Sequence, residues 1–170
     1  SLSEAECKFI LSGLLRGLLH IHSKHRVCHR DLKLENILLS SDGERVVIAD
    51  FGLSKTYNSV LLTRCGSEEY AAPEVIQGKP YEAEKADVWS FGVVMYACLK
   101  GRLPFLRHDN VRVNSGSPLS LYAQILGKSI SIEGISRECG RVLQRALERD
   151  TSKRATFKDL LSESFFSCLK

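Results

Sequence analysis

The sequence lacks the features that mark several specialised classes of protein. Its six cysteines are far apart and form no CxxC pair, which argues against a zinc site and a disulfide framework. The longest apolar run, Val93 to Leu99, is far too short to cross a bilayer. Lysine and arginine are scattered and the formal net charge is only +4, so no nucleic-acid surface is expected. Reduced thiols without a signal peptide favour a cytoplasmic protein, with the nucleus as an alternative.

The composition predicts one globular unit that begins with a helix. The chain has 170 residues, of which 44% are hydrophobic and 26% charged, so it is long enough to bury a core. Leucine and isoleucine recur at helical spacing through residues 1–23. Ser3 and Glu6 form a capping-box pattern at its start. Because the sequence opens directly on this helix, we expect it to be a piece of a longer domain.

A second helix is predicted in the middle of the fold, because its side chains are apolar on nearly every side from Val88 to Leu99. Gly101 ends it. Shorter helical segments follow: an amphipathic one that stops at Gly127, one that starts at a Ser136 N-cap, and one capped by Thr156. The overall balance is therefore mainly helical.

One small strand pair is expected between the two long helices. The runs NILL and RVVIAD flank SSDGE, and Asp42-Gly43 is a turn signal, which together predict a hairpin. The polar segment from there to about Glu74 shows little periodicity and predicts a long ordered loop. Residues 106–118 resemble an insertion, read as a solvated loop rather than a docking site.

Four short motifs stand in order along the chain: HRDLKLEN at 29–36, DFG at 50–52, CGSEEYAAPE at 65–74 and DVWSFG at 87–92. Each alone is compatible with surface carboxylates, caps and turn residues. Together they resemble the large, C-terminal lobe of a eukaryotic serine/threonine protein kinase of the calmodulin-dependent and AMP-activated branch. The resemblance covers essentially the whole chain, 1–170. It implies a mainly α-helical lobe of the α+β kinase fold, with the hairpin at the cleft.

The catalytic candidates suit phosphoryl transfer, which needs a positioned nucleophile and cations on the phosphates. Asp31 would orient the substrate hydroxyl or accept its proton, and Lys33 is a point charge that can reach the transferred group. Asn36 and Asp50 would hold Mg²⁺ through oxygen atoms, with Asp50 bridging two phosphates of ATP. The expected cofactors are therefore ATP and Mg²⁺.

Other residues of these motifs take supporting roles by the same resemblance. Leu38 would form the apolar floor under the adenine ring. Glu35 would contact the ribose or a basic substrate residue, and a solvated carboxylate is the alternative. His29 is expected to pack beneath Phe51 rather than carry a proton, and Phe51 and Gly52 of the DFG motif are structural.

The substrate side of the site points to protein serine and threonine. In the family, a lysine two residues after the catalytic aspartate marks serine/threonine specificity, and Lys33 fits that rule. Ser67 occupies the place of the residue that bonds both Asp31 and Lys33. Two positions depart from the pattern: relatives often carry proline where Glu68 stands and a small or apolar residue where Arg64 stands. Both line the region that reads the residue after the phosphoacceptor, so the preference there is open.

The loop from 50 to 74 resembles an activation segment. Thr63 lies two residues before Cys65, where related kinases are phosphorylated by an upstream kinase. Arg30 and Lys55 occupy the positions of cationic partners. We therefore hypothesise that phospho-Thr63 pairs with Arg30 and Lys55 and orders the loop. An unmodified loop threonine is the alternative.

Four residues are expected to have structural roles in the lobe. In the family, the glutamate of APE meets an arginine in the segment that resembles DTSKRAT, so Glu74 and Arg154 are predicted to pair. Asp87, in the first turn of the buried helix, is predicted to bind backbone amides of the catalytic loop. Trp89 is assigned to the core.

The N-terminal β lobe of a kinase is absent from the sequence. No GxGxxG and no VAIK-like strand occurs, and these supply the cover and the lysine over the phosphates. We expect a small lobe in the same native chain and an inactive isolated fragment. The alternatives are a truncated kinase-like binding or scaffold module without catalysis and, ranked last, a small-molecule phosphotransferase, which would lack the CGSEEYAAPE segment. Neither nucleic acid nor membrane is expected as a partner.

Overall fold

The computed structural model describes residues 2–105 and 118–167, and for residues 118–120 the backbone alone. The first helix, α1 (Glu4–His20), begins at the predicted capping box, in which Ser3 Oγ accepts from the Glu6 backbone amide and the Glu6 carboxylate accepts from the Ser3 amide. The sequence predicted a helix through residue 23. The structure instead ends α1 at His20 and continues as a π-helical turn, Ile21–His25.

The remaining elements are short strands followed by helices. In chain order they are β1 (Val27–Cys28), β2 (Ile37–Leu39), β3 (Val46–Ile48), β4 (Lys55–Thr56), α2 (Pro73–Ile76), α3 (Ala83–Lys100), α4 (Pro118–Gly127), α5 (Arg137–Ala146) and α6 (Phe157–Leu161). Single 3₁₀ turns occupy Leu34–Asn36 and Glu68–Tyr70. The mainly helical balance is as expected.

Helix α3 is the centre of the core, as its apolar sequence predicts. Val88, Trp89, Val93 and Val94 are fully buried. Helices α1 and α5 both pack against α3, and α6 contacts α1 and α5. Gly101 ends α3 in the left-handed conformation, as predicted. The predicted N-caps of α5 and α6 are also confirmed, because the Ser136 and Thr156 hydroxyls accept backbone N–H groups of the following turn.

The predicted hairpin forms between β2 and β3, with Ile37 opposite Ile48 and Leu39 opposite Val46. It lies against α1, where Gly13 provides the space: a Cβ at Gly13 would be 2.9 Å from a Val46 methyl group. A second antiparallel pair, β1 with β4, was not predicted. It ties the start of the loop 50–74 to the residues that precede the HRD motif.

Two findings concern the protein's general character. The five cysteines that the structure describes are all free thiols: Cys7, Cys28, Cys65, Cys98 and Cys139. Within the described ranges, the helices lack the combination of length and apolarity that crossing a membrane requires. The insertion predicted at 106–118 falls almost entirely outside the described residues.

Candidate active site

The predicted catalytic loop, residues 29–36, follows β1 and is held in place by one buried carboxylate, that of Asp87. Asp87 Oδ2 accepts from the His29 amide at 2.7 Å, and Asp87 Oδ1 accepts from the Arg30 amide at 3.0 Å. Arg30 itself has a left-handed backbone, with φ of 66°. Since that conformation is unfavourable for residues other than glycine, the bonds to Asp87 hold the loop in a shape it would not adopt alone.

Asp87 also accepts a hydrogen bond from a side chain that the sequence did not predict as part of the site. His22, in the π-helical turn, donates from Nε2 to Asp87 Oδ2 at 2.8 Å, and its Nδ1 lies 2.8 Å from the Tyr57 hydroxyl. Burial opposes ionisation of Asp87, yet the bonds from His22 and from the His29 and Arg30 amides hold its pKa below the usual value. The carboxylate is therefore ionised.

Cys28 completes a buried group with His22 and Asp87, whose ligand-type atoms lie within 4.8 Å of one another. Such a group resembles a metal site. Each member is nevertheless already engaged, since His22 bonds Asp87 and the Cys28 thiol donates to the Ala83 carbonyl at 3.3 Å. Burial also raises the pKa of the Cys28 thiol, which disfavours the thiolate that a metal would need. The internal hydrogen bonds account for the arrangement.

At the centre of the loop, one carboxylate is held by a lysine and a serine. Lys33 Nζ donates to Asp31 Oδ2 at 2.8 Å and to Ser67 Oγ at 3.2 Å. Ser67 donates to Asp31 Oδ1 from its backbone amide at 2.8 Å and from its hydroxyl at 2.9 Å. Partial burial opposes ionisation of Asp31, but the bonds from Lys33 and Ser67 outweigh it and lower the pKa of Asp31. The same contact raises the pKa of Lys33, so the pair is a stable ion pair at neutral pH.

Asn36 and Asp50 are brought together by the hairpin. The Asn36 carbonyl accepts from the Ala49 amide at 2.8 Å, directly before Asp50. The Asn36 side-chain nitrogen donates to the Asp31 carbonyl at 2.9 Å, which leaves the amide oxygen as the atom for ligation. Asp50 is exposed, and its Oδ1 accepts from the Gly52 amide at 3.1 Å. Two side chains with hard oxygen atoms therefore stand at one edge, a donor set that suits Mg²⁺.

The residues around this pair have contrasting environments. His29 is fully buried, with its ring centroid 4.9 Å from that of Phe51 in an edge-to-face contact. The His29 Nε2 donates to the Ala49 carbonyl at 3.0 Å, so the ring is satisfied as a structural group. Leu38, on β2, is 51% exposed, and Glu35 is also exposed. The exposed Leu38 side chain and the exposed Glu35 carboxylate therefore lie in the segments on either side of Asn36.

Among the described residues, the regulatory candidates Thr63, Arg30 and Lys55 form no hydrogen bond or ion pair with one another. Thr63 is exposed, and its carbonyl accepts from the Tyr81 hydroxyl at 3.0 Å. Burial raises the pKa of Tyr81 to about 12. Arg30 and Tyr81 line the same small cavity. Arg30 Nε donates to the Leu53 carbonyl at 2.6 Å. Lys55, on β4, pairs across from Cys28, beside the start of the catalytic loop.

The predicted Glu74 and Arg154 positions meet in the interior. Arg154 donates from Nη1 and Nη2 to the two carboxylate oxygens of Glu74, at 2.6 and 2.9 Å. The guanidinium also donates to the carbonyls of Glu148 and Lys85, and lies 5.1 Å from the centre of the Trp89 ring. Helix α2 is thereby tied to α3 and to the segment before α6.

Comparison with known families agrees with this geometry. The family model described as the protein kinase domain matches residues 1–166. The chain belongs to the protein kinase family. Its relatives include a probable serine/threonine-protein kinase of Dictyostelium discoideum, 39% identical over 168 residues, which are 97% of this chain and 19% of that protein. They place the chain among the eukaryotic serine/threonine kinases, and the recognition made from the four motifs is confirmed.

Two further relatives show the same pattern. The human NUAK family SNF1-like kinase 2 is 39% identical over 170 residues, covering 95% of this chain and 24% of that protein. The probable serine/threonine-protein kinase HSL1 of Saccharomyces cerevisiae is 38% identical over 162 residues, covering 94% of this chain and 10% of that protein. The kinase chain therefore spans a quarter or less of the length of these relatives.

The two departures from the kinase pattern are in contact with each other. Arg64 Nη2 lies 2.8 Å from Glu68 Oε1 and also donates to the Tyr122 hydroxyl. The Tyr122 hydroxyl donates to the same Glu68 oxygen at 2.6 Å, and the Arg64 guanidinium lies 5.0 Å from the centre of the Tyr122 ring. Sequence reasoning missed Tyr122, because helix α4 comes to Glu68 only through the fold.

Proposed function

We propose that these residues form the catalytic lobe of a serine/threonine protein kinase, which transfers the γ-phosphoryl group of ATP to protein hydroxyls. The observation that carries the proposal is the Asp31 carboxylate, ionised and oriented by Lys33 and Ser67 while Asn36 holds the loop carbonyl behind it. A base that is fixed in place and negatively charged is what a hydroxyl nucleophile needs.

In the proposed mechanism, Asp31 accepts a hydrogen bond from the substrate hydroxyl and aligns its oxygen with the phosphoryl group. Lys33 neutralises charge beside that group, and its bond to Ser67 keeps it close to Asp31. The Asn36 amide oxygen and the Asp50 carboxylate would hold Mg²⁺. When bound, Mg²⁺ supplies charge neutralisation on the phosphates of ATP. Leu38 offers an apolar surface for adenine, and Glu35 a carboxylate near the ribose.

A second lobe completes this site in the proposal. The sequence has no GxGxxG, so these 170 residues alone lack the glycine-rich cover that positions the phosphates of ATP. A polypeptide of residues 1–170 is therefore proposed to be inactive. The exposed apolar side chains of the hairpin, Leu38, Leu39 and Val47, would contact nucleotide and the missing lobe. We also propose a cytoplasmic location, consistent with the five free thiols.

The same exposed hairpin face supports the alternative of a binding module without catalysis. Leu39 and Val47 are each 50% exposed, and apolar surface of this kind can dock a partner. Asp31, Lys33 and Asn36 weigh against the alternative, because a scaffold does not need an ionised carboxylate that is aligned by two donors.

The test is an acceptor assay with the full-length protein as it is expressed. It would be supplied with Mg²⁺, γ-labelled ATP and otherwise identical peptides whose single acceptor is serine, threonine or tyrosine, together with small alcohols. We expect label on the serine and threonine peptides only. Label on alcohols alone would favour a small-molecule phosphotransferase, and no label with intact ATP binding would favour the binding module.

A further inference from the structure

The π-helical turn Ile21–His25 brings together two histidines that the proposed mechanism does not use; we call them the His20–His25 pair. His20 precedes the turn and His25 ends it, and their ring centres lie 5.2 Å apart in an edge-to-face contact. In an α-helix, side chains five positions apart point in directions that differ by about 140° around the axis. This turn is wider, because the Arg26 amide donates to the Ile21 carbonyl five residues back. The wider turn therefore explains the pairing.

Both rings of the pair can take a ligand. His20 and His25 are exposed, and within the described part of the chain their ring nitrogens make no hydrogen bond to a protein group. His22 and His29 differ, because their ring nitrogens are already bonded to Asp87, to a tyrosine hydroxyl and to a main-chain carbonyl. The exposed pair therefore retains the imidazole nitrogens that a metal ion would need.

The spacing of the pair suits a transition-metal ion. Imidazole nitrogen is a preferred ligand of Zn²⁺, Cu²⁺ and Ni²⁺. Two imidazoles bound to one tetrahedral Zn²⁺, with Zn–N bonds of about 2.0–2.1 Å, have ring centres about 5 Å apart. The observed separation of 5.2 Å therefore requires no backbone movement. Rotation of the exposed side chains is enough to turn one nitrogen of each ring toward a shared ion.

Two protein ligands leave the proposed site open to solvent. Among the residues that the structure describes, groups of three or more potential metal ligands are limited to His22, Cys28 and Asp87, so no third side chain completes the pair. Water would occupy the remaining coordination positions of an ion. Because both protein ligands are nitrogen atoms, the site disfavours Mg²⁺, which prefers oxygen. The pair therefore differs in its metal preference from the Asn36–Asp50 edge.

The charges around the pair limit its affinity. Lys24 is exposed in the same turn, and a positive charge close to a bound cation is unfavourable. Arg26 is engaged elsewhere, since its Nε donates to the Tyr57 carbonyl at 3.2 Å and its guanidinium lies 5.4 Å from the centre of the Tyr57 ring. We therefore expect weak and reversible binding.

We propose that His20 and His25 form a binding site for a divalent transition-metal ion that prefers imidazole, such as Zn²⁺ or Ni²⁺. The turn between them carries His22, whose ring bonds the Asp87 carboxylate that holds the predicted catalytic loop. An ion bound by both histidines would fix the two ends of this turn and stabilise the position of His22. The site does not depend on the proposed phosphoryl transfer.

The test is isothermal titration calorimetry of the full-length protein with Ni²⁺, in an excess of Mg²⁺ that occupies sites with oxygen ligands. Ni²⁺ is the probe because it binds imidazole without oxidising the free thiols. We expect the wild type to bind a Ni²⁺ ion that His20→Gln and His25→Gln each bind about 10²-fold more weakly, because each variant loses one of two linked ligands. Any other metal sites are common to all variants, so the comparison isolates the pair.

Lys24→Gln is the matched control, because it changes an exposed residue of the same turn that is not a ligand. It should bind Ni²⁺ at least as tightly as the wild type. Ni²⁺ should also raise the melting temperature of the wild type and Lys24→Gln more than that of either histidine variant. Equal Ni²⁺ affinity in the wild type and both histidine variants, all folded by circular dichroism, would overturn the site. Weaker binding in only one histidine variant would contradict the pairing.

Discussion

Glu74 and Arg154 lie 80 residues apart in the sequence and meet in a buried, two-pronged ion pair at 2.6 and 2.9 Å. The Arg154 side chain has no solvent exposure, and its Nε and Nη1 also donate to the main-chain carbonyls of Glu148 and Lys85. A charge so enclosed is tolerated only because every one of its partners is present.

Removing one partner should therefore be costly. Arg154→Ala leaves the Glu74 carboxylate buried and unpaired, and we expect a loss of about 3–5 kcal/mol in the free energy of unfolding. Urea denaturation followed by circular dichroism measures it. Lys153→Ala is the matched control, because Lys153 pairs with Asp150 at the exposed surface and should change little. Equal unfolding midpoints for the two variants would refute a structural role for the pair.

Gly66 gives a second prediction, at the contact between the loop 50–74 and the catalytic loop. Its φ is 89°, and a Cβ there would lie 2.2 Å from the Arg30 carbonyl oxygen. Gly66→Ala should push Ser67 away from Asp31 and lower kcat/KM about 10²-fold in the full-length protein. Gly78→Ala is the control, because Gly78 also has a positive φ, 65°, but open space where a Cβ would lie. Alanine at position 78 therefore introduces the same type of backbone strain without a steric clash. Similar activity in both variants would argue against this positioning.

The activation hypothesis predicts a dependence on one threonine. The Thr63 carbonyl accepts from the Tyr81 hydroxyl, and Arg30 lines the same cavity as Tyr81, so we expect a phosphate on Thr63 to be within reach of a cationic side chain. Thr63→Ala in the full-length protein should abolish the rise in activity that an upstream kinase produces, whereas Ser59→Ala, an exposed residue of the same loop, should preserve it. If an upstream kinase activates Thr63→Ala as strongly as the wild type, phosphorylation of Thr63 is not the activating switch.

Asp87 predicts how stability depends on pH. Its folded pKa lies below the ordinary value, so its stabilisation is present above about pH 4, the unfolded pKa, and is lost as pH falls through the folded pKa. Asp87→Asn should lower the free energy of unfolding by at least about 2 kcal/mol at pH 7, since an amide cannot accept from both backbone N–H groups. The wild-type and variant curves should converge in acid. A constant difference down to pH 2 would contradict the assignment.

Local signals carried most of what the sequence could predict of the fold. The capping box of Ser3 and Glu6 and the Asp42-Gly43 turn each act within a few residues, so α1 and the β2–β3 hairpin could be predicted from short stretches. The pairing of β1 with β4 could not. Each strand has two residues, too few for a hydrophobic period, and their association depends on the path of the whole loop.

The site shows the same division. The HRDLKLEN motif predicted that Asp31 and Asn36 share one loop, and the structure brings them together, because the Asn36 side-chain nitrogen donates to the Asp31 carbonyl at 2.9 Å. His22 was missed, since its bond to Asp87 spans 65 residues and a lone histidine carries no spacing signal. Tyr122 reaches Glu68 across 54 residues, and only the packed position of α4 reveals it.

The most direct test of the account is the activity of Asp31→Asn in the full-length protein. The substitution keeps the size of the side chain and removes the charge that, in the proposed mechanism, orients the substrate hydroxyl. We predict a fall in kcat of about 10²- to 10⁴-fold for a serine peptide, while circular dichroism shows that the variant remains folded. Asp42→Asn, in the exposed hairpin turn, should keep wild-type activity. Wild-type activity in a folded Asp31→Asn protein would contradict the central claim that this loop performs the transfer.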